Sequence, residues 1–107
     1  MTPNERTEGG KAAFRAVAIL KAKAGKEAEL LAFTLRVAPT IRQVKGLLRL
    51  EINRAIDDRG RLVLYYWWVS PEDSSAYVTG PVYAALAPQL MELVAEHQLI
   101  IADHLDG

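Results

Sequence analysis

The stretch from Arg61 to Val69, Arg-Leu-Val-Leu-Tyr-Tyr-Trp-Trp-Val, constrains this chain more than any other. It follows the turn-forming run Asp57-Asp58-Arg59-Gly60 and precedes Ser70-Pro71, so it reads as a strand. Successive side chains of a strand point to opposite faces. Leu62, Leu64, Tyr66 and Trp68 therefore share one face, and Val63, Tyr65, Trp67 and Val69 share the other. A covered aromatic buries roughly 150–250 Å², so either face brings about 300–500 Å² from its aromatic pair alone. A patch that large is at or beyond what monomers leave exposed. At about 25 cal/mol per Å², covering two aromatics contributes on the order of 10 kcal/mol before entropy and reference-state discounts. Both faces of the sheet that holds this strand need a cover.

The remaining periodicities supply the sheet and one of its covers. Residues 13–22 alternate, with Phe14, Ala16, Ala18 and Leu20 on one side and Arg15, Val17, Ile19 and Lys21 on the other, which is a first strand. Gly25 breaks it, and Lys26-Glu27-Ala28-Glu29 opens a helix. Leu31, Leu35 and Ala38 carry its apolar face, widened by Leu30, Phe33, Val37 and Ile41. Pro39 either kinks this helix or restarts it, and Gly46 ends it. Leu48, Leu50 and Ile52 then alternate with Arg49, Glu51 and Asn53 as a second strand, joined to the third by a hairpin. Ser70 is an N-cap with Pro71 at the first helical position, and Gly80-Pro81 interrupts that second helical region. Tyr83, Leu86, Leu90 and Leu93 continue it, with Pro88 bending it, and Leu99 to Ala102 is a short last strand.

The order β-α-β-β-α-β predicts an α+β fold of the ferredoxin-like kind. Its four-stranded antiparallel sheet carries the helices on one face. The other face, with Val17 and Ile19 added from the first strand, calls for a second copy, sheet against sheet, in a homodimeric α+β barrel. An apolar ligand or a different partner protein is the rival cover.

Composition excludes several functions. Of 107 residues, 13 are basic and 13 acidic, so no basic excess is present to neutralise phosphates and no nucleic-acid partner is expected. With no cysteine, disulfides, thiolate metal sites and a cysteine nucleophile are ruled out. No run reaches the length of a membrane span. Residues 1–12 are polar, lack the pattern of a signal peptide and read as a flexible arm, with residues 13–107 as the domain and a cytoplasmic location expected. Phosphate loops, nucleophile elbows, zinc spacings and dinucleotide fingerprints are all missing.

Several short motifs are shared with a known family. Residues 22–30, Ala-Lys-Ala-Gly-Lys-Glu-Ala-Glu-Leu, then Gly46-Leu47-Leu48-Arg49-Leu50-Glu51, Leu64-Tyr65-Tyr66-Trp67-Trp68 and Pro81-Val82-Tyr83-Ala84-Ala85-Leu86 resemble the antibiotic biosynthesis monooxygenase domain. The resemblance runs from about Phe14 to Leu105. It implies a homodimer of ferredoxin-like subunits, each with a pocket between sheet and helices. It also implies oxidation of small phenolic or quinol-type molecules by dioxygen with no metal or flavin, while a related branch binds and degrades haem. In the family pattern a tryptophan ending the third strand, matched here by Trp68, is followed by a helical histidine. That position is Tyr77 here, and a second frequent histidine falls on Val82. Ala18 stands where the haem-degrading branch has an asparagine. The usual haem ligand and the usual general base are thus both replaced.

The candidate site follows from these positions. Trp68 would stack on an aromatic substrate, with Tyr66 on the same face and Ala18 leaving room beside them. The competing reading makes Trp68 core. Tyr77 would hydrogen-bond a substrate oxygen, since a phenol is a poor base at neutral pH; otherwise it packs a helix. Tyr83 is a pocket wall or a core anchor. Asn53 would orient a bound carbonyl, although Arg49, Glu51 and Asn53 together also read as a charged edge strand. His97 and His104 face opposite sides of an extended segment and cannot share a metal. His104 beside Asp103 resembles a base with its carboxylate, or else a solvated chain end. Glu92 and Glu96, four apart on the last helix, read as a solvated face, and no metal site is expected.

Two functions fit: a cofactor-independent monooxygenase acting on a small aromatic, or a non-catalytic dimeric module that binds a small apolar ligand. A haem-binding module ranks third.

Overall fold

Among the described residues seven elements follow one another: β1 (Phe14–Ala22), α1 (Glu27–Ile41), β2 (Leu47–Arg54), β3 (Arg61–Trp68), α2 (Pro71–Val78), α3 (Pro81–Leu93) and β4 (Val94–Asp103). The computed structural model describes residues 14–103, 105 and 106; the arm expected at 1–12 and His104 lie outside them. The strands form one antiparallel sheet in the order β2-β3-β1-β4, the ferredoxin-like arrangement. Gly80-Pro81 splits the second helical region into α2 and α3.

The alternation read from the sequence decides which face is core. Phe14, Ala16, Ala18, Leu20 and Ala22 of β1 are buried, as are Leu62, Leu64, Tyr66 and Trp68 of β3, and all point toward the helices. The helix α1 meets them with Leu30, Phe33, Ala38 and Ile41, and with Thr34, whose hydroxyl donates to the Leu30 carbonyl at 2.8 Å. Leu35, expected on that face, is instead 54% exposed, because the buried stripe runs through Leu30 and Phe33. Pro39 neither restarts nor breaks the helix. Near the C-terminal end its missing N–H removes one bond, and beyond it the Arg42 N–H still donates to the Ala38 carbonyl at 2.9 Å. The helix stops at Ile41 rather than at Gly46.

Gly46 serves the next junction. Its φ of +83° suits glycine, and its carbonyl accepts from the Val69 N–H at 2.8 Å, tying the entry of β2 to the exit of β3. A bulge between Leu47 and Arg49 then shifts the register. Leu47 consequently packs against the core, and Leu48, expected inside, is 60% exposed. At the other end of this hairpin, Lys21 Nζ donates to both oxygens of Asp58 at 2.7 and 2.8 Å. That bond and the Gly60 N–H hold the Asp58 carboxyl below its usual range.

The last strand is longer than expected. It starts at Val94, directly after α3, so Glu92 lies on the helix and Glu96 on the strand, not together on one helical face. The strand's register on β1 skips one residue at Ala95, since Ala22 stands opposite Val94 and Lys21 opposite Glu96. Val94 and His97, three apart, therefore both face the helices. Among the described residues no helix is long and apolar enough to cross a membrane.

Candidate active site

A pocket of about 210 Å³ opens between the helix side of the sheet and the α2–α3 junction. Small residues make its floor: Ala16 and Ala18 of β1 stand opposite Tyr66 and Leu64 on one side and Ile101 and Leu99 on the other. Tyr66 and Trp68 form one wall. Two positions apart on β3, their rings lie parallel within 4°, with centroids 6.1 Å apart.

The opposing surface comes from α2 and α3. The Ser70 hydroxyl caps α2 by accepting from the Asp73 N–H at 3.2 Å, and Pro71 occupies the first turn. This start places Ser74 and Tyr77, three apart, on the buried side of α2. Gly80 then lets the chain turn sharply into α3, for a Cβ there would sit 2.5 Å from the Ala76 carbonyl oxygen. Tyr83 follows at the start of α3 and meets Tyr77 edge-on, with centroids 5.7 Å apart and planes at 73°. Tyr77 in turn lies 5.7 Å from Trp68 and 6.2 Å from Tyr66. Four aromatic side chains from three elements thus share one cluster.

The electrostatics of the cluster favour neutral hydroxyls. Burial pushes the Tyr66 phenol up, reinforced by the adjacent Tyr77 oxygen to which it donates and by Tyr83. Burial likewise raises Tyr77, to about 12, partly offset by the hydrogen bond it accepts from Tyr66. Both stay protonated at neutral pH, available to donate to an oxygen that gains charge.

The structure brings five of the six sequence-predicted residues to this pocket: Trp68, Tyr77, Tyr66, Tyr83 and Ala18. Asn53 is elsewhere. It lies on the edge strand β2 opposite Val63, where its amide donates to the Val63 carbonyl at 3.4 Å, so it joins the open sheet face rather than the pocket. Alternation alone assigns it there, since Asn53 has the parity of Arg49 and Glu51. Val82 packs against the core and borders the hollow of about 580 Å³ between α1 and α3, which no sequence-predicted site residue lines.

Ser74, Val78, His97 and Leu99 line the pocket without having been sequence candidates for it, and His97 is the one among them with an imidazole. Strand alternation counted back from Leu99 reaches it; counted forward from Val94, the unpaired Ala95 inverts the answer. Among the described residues no group of three His, Cys, Asp or Glu side chains is placed to hold a metal ion.

Solved structures with this architecture are numerous. A Nitrosomonas europaea protein titled as a candidate antibiotic biosynthesis monooxygenase superposes with a TM-score of 0.80 at 20% identity, covering 90% of this chain and 93% of that one. A Shewanella oneidensis protein gives 0.79 at 21% identity, with 89% and 93% covered. One from Mycobacterium tuberculosis gives 0.79 at 19% identity, with 89% and 97% covered. At these identities the likeness concerns the fold. No curated protein matches the sequence. The antibiotic biosynthesis monooxygenase family model, however, matches residues 13–89, which include every pocket-lining residue except the two from β4. The chain belongs to the antibiotic biosynthesis monooxygenase family.

Proposed function

We propose that the protein is a cofactor-independent monooxygenase acting on a small phenol or hydroquinone bound in the aromatic pocket. The observation that carries this reading is the pocket itself, an aromatic enclosure in a chain of a monooxygenase family. Its volume of about 210 Å³ suits one ring. Protein cavities near 150 Å³ already admit benzene. Trp68 and Tyr66 flank the ring, and the Tyr77 hydroxyl donates to its oxygen.

The chemistry balances without an external reductant. Loss of the hydroxyl proton gives a phenolate, whose electrons add to dioxygen at a ring carbon and form a C–O bond. Loss of that carbon's proton with cleavage of the O–O bond leaves one oxygen on the ring as a carbonyl and expels the other as water. Hydroquinone and dioxygen thus become hydroxyquinone and water. The protein's share is a dry site, orientation, and a hydrogen bond to the developing anion.

We also place the working unit as a homodimer, with the open sheet face as its interface. Tyr65 and Ile100 are 40% and 41% exposed there, beside half-buried Val17, Ile19, Val63 and Trp67. Oxygen uptake with hydroquinone, corrected for spontaneous oxidation, tests the activity. Saturable uptake that Tyr77→Phe lowers by at least tenfold is expected. Hydroquinone binding with uptake no faster than the blank would establish the non-catalytic binding module instead.

A further inference from the structure

The walls of the aromatic pocket divide by chemistry. Ala16, Ala18, Val78 and Leu99 are aliphatic; Trp68, Ser74 and the three tyrosines carry O–H or N–H donors. Burial keeps Tyr66 and Tyr77 protonated, so they can stabilise an oxyanion but not create one. One lining residue remains, His97. Among the described residues no carboxylate, lysine or arginine lines this pocket or the smaller one of about 50 Å³ beside it, whose wall His97 also shares with Tyr66, Tyr77 and Tyr83. Imidazole is the side chain suited to exchange a proton near neutral pH.

His97 reaches this place through the β4 register. It stands opposite Leu20, with Leu99 next along the same face opposite Ala18, so its side chain lies on the pocket side of the sheet. The residue is also exposed, which lets its ring exchange protons with water. The other charged groups around it are Lys21, Arg61 and Glu96, which line a neighbouring pocket that His97 borders. Lys21 is already engaged by Asp58.

We propose that His97 is the proton acceptor of the aromatic pocket. This inference rests on the reading of that pocket as the substrate site. In the step, the O–H bond of a bound phenol breaks and an N–H bond forms on the imidazole. The electron pair stays on the phenolate oxygen, which accepts from Tyr77. The imidazolium later protonates the oxygen that leaves as water.

Two probes separate this assignment from the oxygen chemistry. Para-nitrophenol reports proton transfer by its visible phenolate band, whether or not dioxygen reacts. On the wild-type protein its titration midpoint is expected to fall by about one pH unit relative to solution. His97→Gln should bind the neutral phenol, measured well below the midpoint, within about twofold as tightly, abolish the shift and so bind the phenolate about tenfold more weakly. An equal midpoint in both proteins, or no binding to the wild type, overturns the assignment. With hydroquinone, His97→Gln should lower kcat about 100-fold and leave KM within about twofold, removing the acid limb of the pH profile. Unchanged kcat and pH profile in His97→Gln would overturn the assignment and leave the monooxygenase standing. A wild-type midpoint shift without oxygen uptake would do the reverse.

Discussion

Tyr77 rests against Trp68 with ring centroids 5.7 Å apart and planes tilted by 36°. This contact joins α2, through its only buried aromatic, to the most buried side chain of β3. The ring and the hydroxyl of Tyr77 should therefore separate by mutation. Tyr77→Ala removes a buried aromatic and is expected to cost about 3–5 kcal/mol. Tyr77→Phe keeps the packing and should cost only about 0.5–1.5 kcal/mol. Urea unfolding followed by tryptophan fluorescence checks both values. Equal losses would show that the hydroxyl, not the ring, holds α2 in place.

The raised tyrosines make the fold sensitive to alkali. A group whose pKa is higher folded than unfolded keeps its full contribution below the unfolded value and loses it as pH rises through the folded one. For Tyr77 that window runs from the ordinary phenol value near 10 to about 12. Ionisation in the unfolded chain should withdraw on the order of 2–3 kcal/mol of stability across it, with Tyr66 adding a loss in the same direction. Thermal unfolding between pH 9 and 12 measures the fall, and Tyr77→Phe should flatten it. A stability independent of pH in that range would remove the buried hydroxyls from the account.

These properties were unevenly legible in the sequence. The sheet could be read because β1 and β3 alternate without interruption, and the same alternation gives Tyr66 and Trp68 their common face. Alternation fails where the backbone inserts a residue. The bulge at Leu48 exchanges it for Leu47 in the core, and the one at Ala95 hides the face of His97. Leu35 shows the same limit for a helix, since a spacing of four and three fits more than one stripe when the sequence is leucine-rich. The pocket depends on something periodicity does not encode. The room that Ala18 leaves beside Tyr66 and Trp68 could be read from parity, but the walls that close it, from β4 and the α2–α3 junction, become visible only when those elements are placed around it.

That junction hangs on Gly80. A Cβ would meet the Ala76 carbonyl oxygen at 2.5 Å, and backbone atoms yield less than a flexible side chain. Gly80→Ala should therefore push α3 away from α2 and cost about 1–3 kcal/mol. The displacement would move Tyr83 off the edge of Tyr77, so ligand affinity in the pocket should fall along with stability. Denaturant titration and binding of para-nitrophenol provide the two readings. A stable variant with unchanged binding would mean that the turn has slack.

The open face of the sheet carries an unsatisfied guanidinium nitrogen as well as apolar surface. Arg15 lies 5.0 Å from the centre of the Trp67 ring and Arg49 lies 5.3 Å from it, so the two guanidinium groups flank one indole. Glu51 pairs with Arg49 at 2.6 Å, but the buried Nη1 of Arg15 has no hydrogen-bond acceptor among the described residues. A shielded guanidinium nitrogen without an acceptor is costly, and desolvation already lowers the Arg15 pKa. A second copy laid on this face would cover Tyr65, Trp67 and Ile100. Sedimentation equilibrium should then give twice the 11.8 kDa chain mass. Tyr65→Glu, which puts a carboxylate at the centre of the face, should halve that mass and weaken the dimer by several kcal/mol. Its isolated subunit should keep the α+β circular dichroism of the wild type, because Tyr65 contributes nothing to the core on the helix side. A wild-type protein that sediments as a monomer would leave both the apolar face and the Arg15 nitrogen to a different partner.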